Sequence, residues 1–405
     1  MLLPLYSEFE KHWNHNKEIV FLNHGSFGSC PTSILEKQTS LRTQMESELV
    51  RFMTVDLENL YWENKTALAT FVNCNANDLV LVRNATMGVN TILHSLHFNE
   101  GDEILTHSHA YGACQNTLKY YAEKYKCKLV IADIPFPITN QEDVTEAFLK
   151  CVTPKTRLAM VDHITSATGI VFPVEQITKE LEAKGVEVLV DGAHAPGMVH
   201  LDINKISASY YTGNCHKWIC SPKGSALLHV RKDKQHKISP LQISHYHDLY
   251  SGTDKHWSAQ FIWPGTEDFT AYLLIKDSIE TMGSMMGTWD ALRKRNRELC
   301  LKARKMLSEK AGTPLPAPEN MISHLSDIVI DMKAEMPKSF LHNMPLPRKI
   351  LLEDYKIQVP VFIFGKAELK YYLRIAVQAY NSWEQYEYLG NCLEKMIKLN
   401  HQTIL

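Results

Sequence analysis

The sequence lacks a strong excess of charge of either sign. Lys and Arg together number 43 and Asp and Glu number 45, which gives a formal net charge of −2. Nucleic acids and anionic membrane surfaces attract proteins that produce a positive field, and a nearly neutral chain produces none. The composition therefore argues against a role in binding polyanions.

Long apolar runs are also missing. No stretch approaches about 18 consecutive apolar residues, the length that a membrane-spanning helix requires. The first residues, MLLPLYSEFEKHW, have too short an apolar run and acquire acidic residues too early for a signal peptide. We expect a cytoplasmic protein.

Cysteine pairs with metal-binding spacing are absent. The nine cysteines are odd in number, scattered along the chain, and contain no C-x-x-C. Neither a zinc ribbon nor a disulfide framework fits this pattern. We expect reduced thiols that are mostly buried.

What the chain does contain is a regular alternation of strands and helices. With 405 residues, of which 45% are hydrophobic, it can bury a large core. The expected strands are Leu79–Val82, Glu103–Thr106, Lys128–Ala132, Leu158–Asp162 and Val186–Val190, and the helices between them are Thr86–Leu96, Tyr111–Tyr125, Glu142–Cys151 and Val174–Ala183. Strands separated by single helices predict an α/β fold with a mostly parallel, doubly wound sheet.

The chain divides around this sheet into three predicted parts. Residues 1–30 form an N-terminal arm and a tight turn that contributes to the site, 31–288 form the large domain, and 289–405 form a smaller C-terminal α/β domain. The smaller domain contains a strand predicted near 358–364 and a last helix near 383–399. Segment 231–262 is expected to be an irregular surface excursion.

Lys217 and Asp191 together suggest the chemistry. Lys217 follows a β-type run, and Asp191 ends the apolar run Val188–Val190, so both lie where open α/β sheets place their ligands. An ordinary lysine has a pKa of about 10.4 and is inert until desolvation or neighbouring charge lowers that pKa. A lysine for a Schiff base and an acid for a pyridinium nitrogen are what pyridoxal phosphate requires.

Two other helix entries offer donors for a phosphate. Ala85 and Thr86 open a helix directly after the first strand, and Gly265 and Thr266 precede another. Helix N-termini present free N–H groups and a positive dipole end to an anion. Many helix entries are capped by a side chain and bind no ligand. The pair Ala85 and Thr86 is favoured because it lies in the first βα unit of the sheet.

Three further side chains are candidates for contact with a cofactor or substrate. Tyr111 can stack its ring on a planar cofactor, and Ser166 can hydrogen-bond the cofactor or substrate, although serine is also an ordinary turn residue. Arg374 lies in the middle of an apolar strand, where a guanidinium either meets an acid or faces a polar cleft. In a cofactor enzyme it would clamp a substrate carboxylate.

His107 and His109 raise the question of a metal. Catalytic zinc takes three protein ligands, and no third ligand stands at a suitable spacing. We therefore expect no metal and interpret both residues as exposed loop histidines.

Six segments together resemble the class V aminotransferase superfamily. They are FLNHGSFG (21–28), RNATMGVN (83–90), VLVDGAHAPG (188–197), YYTGNCHKWICSPKGSA (210–226), WPGTED (263–268) and LRIAVQAYNS (373–382). The similarity spans nearly the whole chain in the family's order. The asparagine-histidine-glycine turn and the YYTGNCHKW form point to the isopenicillin N epimerase-like branch, whose relatives include cysteine desulfurases and hercynylcysteine sulfoxide lyases.

The resemblance implies a pyridoxal 5'-phosphate enzyme of fold type I, typically a homodimer whose active site is shared across the interface. Position by position, it implies Lys217 as the Schiff-base lysine, Asp191 as the partner of the pyridine nitrogen and His194 near the ring oxygen. It implies Tyr111 as the stacking ring, Arg374 as the carboxylate anchor, Gly265 and Thr266 as donors to the neighbour's phosphate, and a phosphate cradle of Ala85, Thr86, Asn214 and His216. Independently of the resemblance, the glycines and Pro31 after the first strand predict an exposed turn that faces the substrate, with Asn23 and His24 as its candidate binding residues.

The same residues serve several reactions at the Cα of an amino acid or an amino-acid-containing peptide. After Lys217 removes the Cα proton, its return on the opposite face gives epimerisation, with Tyr111 or His24 as candidate second acids. A leaving group on Cβ gives elimination, and protonation at the cofactor gives transamination. Epimerisation or C–S lysis is favoured, and the intact Lys217 and Asp191 argue against a non-enzymatic scaffold.

Segment 362–367, FIFGKA, departs from the cysteine desulfurases. Those enzymes carry a loop cysteine shortly before the anchoring arginine, and this segment contains none. The sequence therefore argues against a desulfurase that forms a persulfide on this loop.

Overall fold

The strands define two main sheets. The computed structural model describes residues 3–332, 344–365 and 369–404. Its strands are β1 (Val20–Phe21), β2 (Leu79–Val82), β3 (Glu103–His107), β4 (Lys128–Ala132), β5 (Thr156–Asp162), β6 (Glu187–Asp191), β7 (Tyr210–Asn214), β8 (Ala226–Val230), β9 (Leu325–Ile330), β10 (Ile357–Gln358), β11 (Val361–Phe364) and β12 (Lys370–Ala376).

The central sheet has the order β2-β8-β7-β6-β5-β3-β4. The pairs from β7 to β4 are parallel, whereas β8 runs antiparallel to both β7 and β2. Alternate residues of β2 enter two separate apolar cores, with Leu79 and Leu81 in one and Val80 and Val82 in the other. Both faces are therefore covered at β2, which is why this strand is apolar at every position. The predicted mostly parallel, doubly wound α/β fold is confirmed.

The covering helices form where the sequence supplies an apolar stripe and a cap. The longer helices among the described residues are Thr32–Ser47, Leu57–Phe71, Ala85–Ser95, Gly112–Tyr125, Glu142–Leu149, Val174–Glu182, Ile275–Ser284, Trp289–Ala311, Leu346–Glu353 and Trp383–Ile404. In Val174–Glu182 the buried residues Val174, Ile177, Thr178 and Leu181 recur at helical spacing on one face. None of these helices is long and apolar enough, over the described residues, to span a bilayer.

A smaller antiparallel sheet, β11-β12-β9, lies beside the helices Trp289–Ala311 and Trp383–Ile404. The short strand β1 pairs in parallel with β10, so the N-terminal arm is fastened to the C-terminal part of the chain. The predicted boundaries after residues 30 and 288 stay predictions.

Two local expectations were wrong. The strand predicted over 358–364 is split into β10 and β11 around Val359 and Pro360, because proline has no N–H to donate to a ladder. The tight turn after β1 contains a one-turn helix, His24–Phe27, which ends at Gly28. In the cysteine-free segment 362–367, Lys366 and Ala367 lie outside the described residues.

Gly28 allows the closest backbone approach beneath Lys217. It has φ +72°, and a Cβ added there would lie 2.0 Å from the His216 carbonyl oxygen and 2.8 Å from the Lys217 Cα. Gly101 has a similar φ of +86° with no atom within 4 Å of an added Cβ. An alanine at Gly28 would therefore suffer both steric overlap and backbone strain, whereas an alanine at Gly101 would suffer backbone strain alone.

We predict that Gly28→Ala lowers the free energy of unfolding by more than about 3 kcal/mol, because backbone must move to relieve the overlap. Gly101→Ala should lower it by about 1–2 kcal/mol, the cost of a left-handed backbone alone. Urea denaturation of the two variants measures the difference. Equal losses would contradict the proposed packing under Lys217.

Candidate active site

One cavity gathers most of the residues predicted from the sequence. It has a volume of about 500 Å³, which is within the range of small-molecule sites. Its lining residues are Asn23, Ser26, Phe27, Asn84, Ala85, Thr86, Tyr111, Asp162, Ile164, Ser166, Asp191, Ala193, His194, Asn214, His216, Lys217, Arg348, Pro360, Phe362 and Arg374. The cavity lies at the carboxyl ends of β5, β6 and β7, where an open α/β sheet binds its ligands.

Lys217 enters this cavity from the short helix Cys215–Trp218, which directly follows β7. Burial, and after it the Arg374 guanidinium, lower the pKa of its amine to about 8. Asp191 and Asp162 act in the opposite direction. A lysine with this pKa is partly unprotonated near neutral pH and can act as a nucleophile or base.

Two acids lie side by side under the lysine. Asp162 and Asp191 are register partners at the ends of β5 and β6, and both are buried. Asp191 accepts hydrogen bonds from the Cys114 thiol at 3.3 Å and from the Ala193 N–H at 3.0 Å. Burial and the neighbouring Asp162 raise the pKa of Asp191 to about 6, and burial raises the pKa of Asp162 well above its ordinary value. The pair therefore favours one shared proton.

Asp162 is a cavity residue that was not predicted from the sequence. The signal was present, because Asp162 ends an apolar strand in the same way as Asp191. Its Oδ1 lies 3.2 Å from the His107 Nε2. The expectation that His107 and His109 are exposed was wrong, since both are fully buried and His109 lies 2.9 Å from the Thr168 hydroxyl. No group of potential metal ligands occurs among the described residues.

The indole of Trp218 determines which nitrogen of His194 carries a proton. Trp218 Nε1 donates to His194 Nδ1 at 3.2 Å, and an indole N–H can only donate. Burial and the charge of Lys217 hold the pKa of His194 well below its usual range, so the ring is neutral. Its proton is therefore on Nε2, which lies 3.1 Å from Lys217 Nζ. This contact is a hydrogen bond only when the lysine amine is unprotonated, which agrees with its lowered pKa.

The cavity lining also includes the entry of the helix Ala85–Ser95. The side chain of Asn84 caps the helix Ala85–Ser95 by accepting from the Met87 N–H, and Asn214 accepts from the Ala85 N–H. His216 Nδ1 donates to the Ser225 carbonyl at 2.9 Å. Its other nitrogen is free of a proton in the neutral ring, because burial lowers the pKa of His216 to about 4. An anion bound at this nitrogen would draw a proton onto it.

Arg374 reaches the cavity from β12. Its guanidinium donates to the Ser166 carbonyl and to the Ser26 hydroxyl, and lies 5.1 Å from the centre of the Phe362 ring. Asp327 is its register partner on β9, and burial raises the pKa of this acid to about 8. Of the two possibilities for a strand arginine, the structure shows the second, because Arg374 lines the cavity and makes no ion pair with Asp327.

Three predicted site residues do not line the cavity. His24 is fully buried, with Nδ1 2.9 Å from the Tyr380 hydroxyl and Nε2 donating to the Lys217 carbonyl at 2.9 Å. Gly265 and Thr266 lie outside the cavity-lining set of this single chain. Their predicted roles stay predictions.

The sequence profile of the aminotransferase class V family matches residues 30–343. The chain belongs to the class V aminotransferase family. This confirms the resemblance drawn from the six segments, and it identifies the chain as a pyridoxal phosphate-dependent enzyme.

Relatives of this class V enzyme catalyse different reactions. It is 27% identical to a probable chloroplastic L-cysteine desulfhydrase of Arabidopsis thaliana, over 97% of this chain and 86% of the relative. It is 29% identical to isopenicillin N epimerase of Streptomyces clavuligerus, over 75% and 78% of the two chains. It is 22% identical to hercynylcysteine sulfoxide lyase of Schizosaccharomyces pombe, over 97% and 98%.

Solved structures agree with the class V fold. C-DES, with glycine covalently linked to its pyridoxal phosphate, superposes with a TM-score of 0.78 at 20% identity, over 95% of this chain and 98% of that chain. The cysteine desulfurase CsdA of Escherichia coli superposes with a TM-score of 0.76 at 17% identity, over 97% and 98%. These similarities support the fold of the enzyme and carry no argument about its substrate.

We predict that Lys217 in the cofactor-free enzyme reacts with acetic anhydride with a midpoint near pH 8. Only the unprotonated amine reacts, so a pKa lowered from about 10.4 moves the midpoint down. Arg374→Gln should move the midpoint upward, because the guanidinium charge that this substitution removes disfavours the ammonium form of Lys217. Peptide mass spectrometry of the labelled lysine measures both midpoints, and an unchanged midpoint in the variant would contradict the electrostatic argument.

We predict that Trp218→Phe frees His194 from a single tautomer. In cofactor-free protein labelled with ¹⁵N-histidine, NMR should show His194 protonated on Nε2 alone, and the variant should populate the Nδ1–H form. Trp257→Phe is the matched control, because that buried indole donates to the Ile238 carbonyl instead. An Nδ1–H form in the unmodified protein would refute the assignment.

Proposed function

We propose that the enzyme is a C–S β-lyase, which releases the sulfur substituent of a cysteine derivative as a thiol or sulfide. The observation that carries this proposal is that Lys217 supplies the single amine base among the described residues that line the cavity. Elimination on one face of the substrate needs one such base, whereas epimerisation needs an acid or base on each face.

The alternative is an epimerase, and Tyr111 is the residue that favours it. Tyr111 lines the cavity and keeps 45% of its surface exposed. The other candidate second acid, His24, has both ring nitrogens engaged outside the cavity. An epimerase on this scaffold would therefore depend on Tyr111.

The residues present fit pyridoxal phosphate. The helix entry at Ala85 and Thr86, together with Asn214 and His216, would hold the phosphate, because all four residues line the cavity and a helix entry favours an anion. Asp191 would pair with the pyridine nitrogen. Proton uptake by His216 would accompany phosphate binding, since its Nδ1 already donates to a carbonyl.

Next to these groups, Tyr111, Ser166 and His194 complete the cofactor site. Tyr111 would stack on the ring, and Ser166 would lie near the substrate. His194 would donate its Nε2 proton to the ring oxygen, because Trp218 leaves that nitrogen as the donor. The cofactor, when bound, withdraws electrons from the Cα of an attached amino acid, so that the Cα proton becomes removable.

Lys217 and Arg374 would act on the amino acid itself. The Arg374 guanidinium would bind the α-carboxylate, as a planar fork of donors matches a carboxylate. Asn23 would face the substrate from the turn after β1. The Lys217 amine would take the Cα proton, and breaking the Cβ–S bond would release the sulfur with its electron pair.

Release of sulfur into solution agrees with the cysteines of this enzyme. All nine are free thiols, and none of them is among the residues that line the cavity. Cys114 donates to Asp191, and Cys220 lies behind the lysine, 3.8 Å from His24 Nε2. A persulfide carrier on the enzyme therefore has no cysteine in position among the described residues.

The proposed enzyme is a homodimer. Gly265 and Thr266 lie outside the cavity of their own chain, and Gly265 adopts φ +129°, which presents its backbone without a side chain. In a dimer these residues would donate to the neighbour's phosphate.

We expect the loaded enzyme to convert L-cysteine S-conjugates to pyruvate and thiol in equal amounts. Lys217→Ala should lower this turnover by at least about 10²–10⁴-fold, the contribution of a positioned general base. Lys223→Ala is the control, because that exposed lysine lies six residues further on and does not line the cavity. Chromatography of pyruvate and thiol measures turnover.

The same reactions run in deuterium oxide separate the two candidate functions. Deuterium at Cα with inversion and no pyruvate would overturn the lyase in favour of the epimerase. Conversion of the cofactor to its pyridoxamine form by an amino acid alone would overturn it in favour of an aminotransferase.

A further inference from the structure

Arg348 is a second arginine in the cavity that holds Lys217 and Arg374. It lies in the first turn of the helix Leu346–Glu353 and is half-buried. Pro360 and Phe362, which also line the cavity, belong to the same C-terminal part of the chain. Nothing in the sequence around Arg348 predicts a place in the cavity.

Arg348 differs from the other arginines in its partners. Each other arginine of the sequence donates to a described atom, namely Arg42, Arg51, Arg83, Arg157, Arg231, Arg293, Arg295, Arg297, Arg304 and Arg374. Arg348 makes no hydrogen bond or ion pair with the part of the chain that the structure describes. A guanidinium that is partly withdrawn from water without a partner is stabilised when an anion joins it.

The helix itself does not explain the arginine. A cation in the first turn faces the positive end of the helix dipole, where an acid would be favourable and a cation is not. By contrast, Lys349, the next residue, keeps 57% of its side chain exposed and lies 3.9 Å from Glu353. Lys349 is therefore an ordinary surface lysine, and Arg348 is turned toward the cavity.

The acids of the cavity do not neutralise Arg348 either. Asp162 and Asp191 lie at the ends of β5 and β6 and are engaged with His107, Cys114 and the backbone N–H of Ala193. Neither makes an ion pair with Arg348. The cavity therefore carries two guanidinium groups from the C-terminal part of the chain, whereas both of its carboxyl groups come from the ends of strands of the central sheet.

We propose that Arg348 binds a second anionic group of the substrate, so that the substrate class is cysteine derivatives with an acidic group on the sulfur substituent. This inference rests on the proposed lyase function, in which Arg374 takes the α-carboxylate. Arg348 then takes the distal carboxylate, and the Cβ–S bond lies between the two.

The chemistry balances for such a substrate. The Cα proton goes to Lys217 Nζ, and the Cβ–S bond breaks with both electrons leaving on sulfur as a carboxylate-bearing thiolate. The enamine that remains takes up water and gives pyruvate and ammonia. No oxidant or reductant is required.

Two isosteric probes test the inference, S-(2-carboxyethyl)-L-cysteine and its neutral amide, S-(2-carbamoylethyl)-L-cysteine. We expect the loaded enzyme to prefer the acid in kcat/KM. Arg348→Gln should lower kcat/KM for the acid about 10- to 100-fold, the range for one charge-assisted hydrogen-bonded pair, and leave the amide unchanged. Lys349→Gln, the neighbouring control, should change neither value. An equal loss for acid and amide in Arg348→Gln would overturn the inference.

A binding measurement separates this inference from the lyase proposal. Isothermal calorimetry of the loaded enzyme should show glutarate binding about 10- to 100-fold more tightly than its monoamide, with the preference lost in Arg348→Gln. If glutarate shows this Arg348-dependent preference but neither probe releases a thiol, the lyase proposal is overturned and the anion site at Arg348 is supported. Thiol release from both probes with no Arg348-dependent preference would overturn the anion site and leave the lyase supported.

Discussion

The desolvation of one amine is the constraint on which the site depends. Lys217 is held at the carboxyl edge of a fully covered sheet, and its pKa falls to about 8 because burial and Arg374 both oppose the ammonium form. The two buried acids, Asp162 and Asp191, act against this effect and keep the amine from losing its proton completely. The lysine is thereby poised near neutral pH, which is the requirement for a group that must both attack and accept protons.

The backbone of the lysine is fixed by distant parts of the chain. His24 donates to the Lys217 carbonyl and contacts the Tyr380 hydroxyl, so that an N-terminal turn and a C-terminal segment meet behind the short helix. Gly28, which belongs to the N-terminal part of the chain, packs against the peptide that joins His216 and Lys217. On the cavity side, Trp218 sets the tautomer of His194, which then faces the amine. Positioning of the reactive group is therefore a property of the whole fold.

Charge is segregated across the cavity, and this separation gives each end a different chemistry. The acids end strands of the central sheet, the helix entry lies at Ala85, and the guanidinium groups belong to the C-terminal part of the chain. In the proposed function, an amino acid presents its anionic groups to the arginines and its Cα to the lysine. A cleft of this kind selects the orientation of a substrate before any bond changes.

Local sequence determined much of this protein. Apolar runs followed by helical patterns predicted the strand and helix alternation, and β2 and β4 were predicted to the residue, because short runs rich in β-branched and other apolar residues between helical patterns carry a strong local signal. Lys217 and Asp191 could be paired because both end strands. Only the tertiary structure buried His107 and His109, turned His24 away from the cavity, and brought Arg348 into it. Those outcomes depend on contacts between residues far apart in the chain, and no local pattern encodes which distant side chain removes water from a given group.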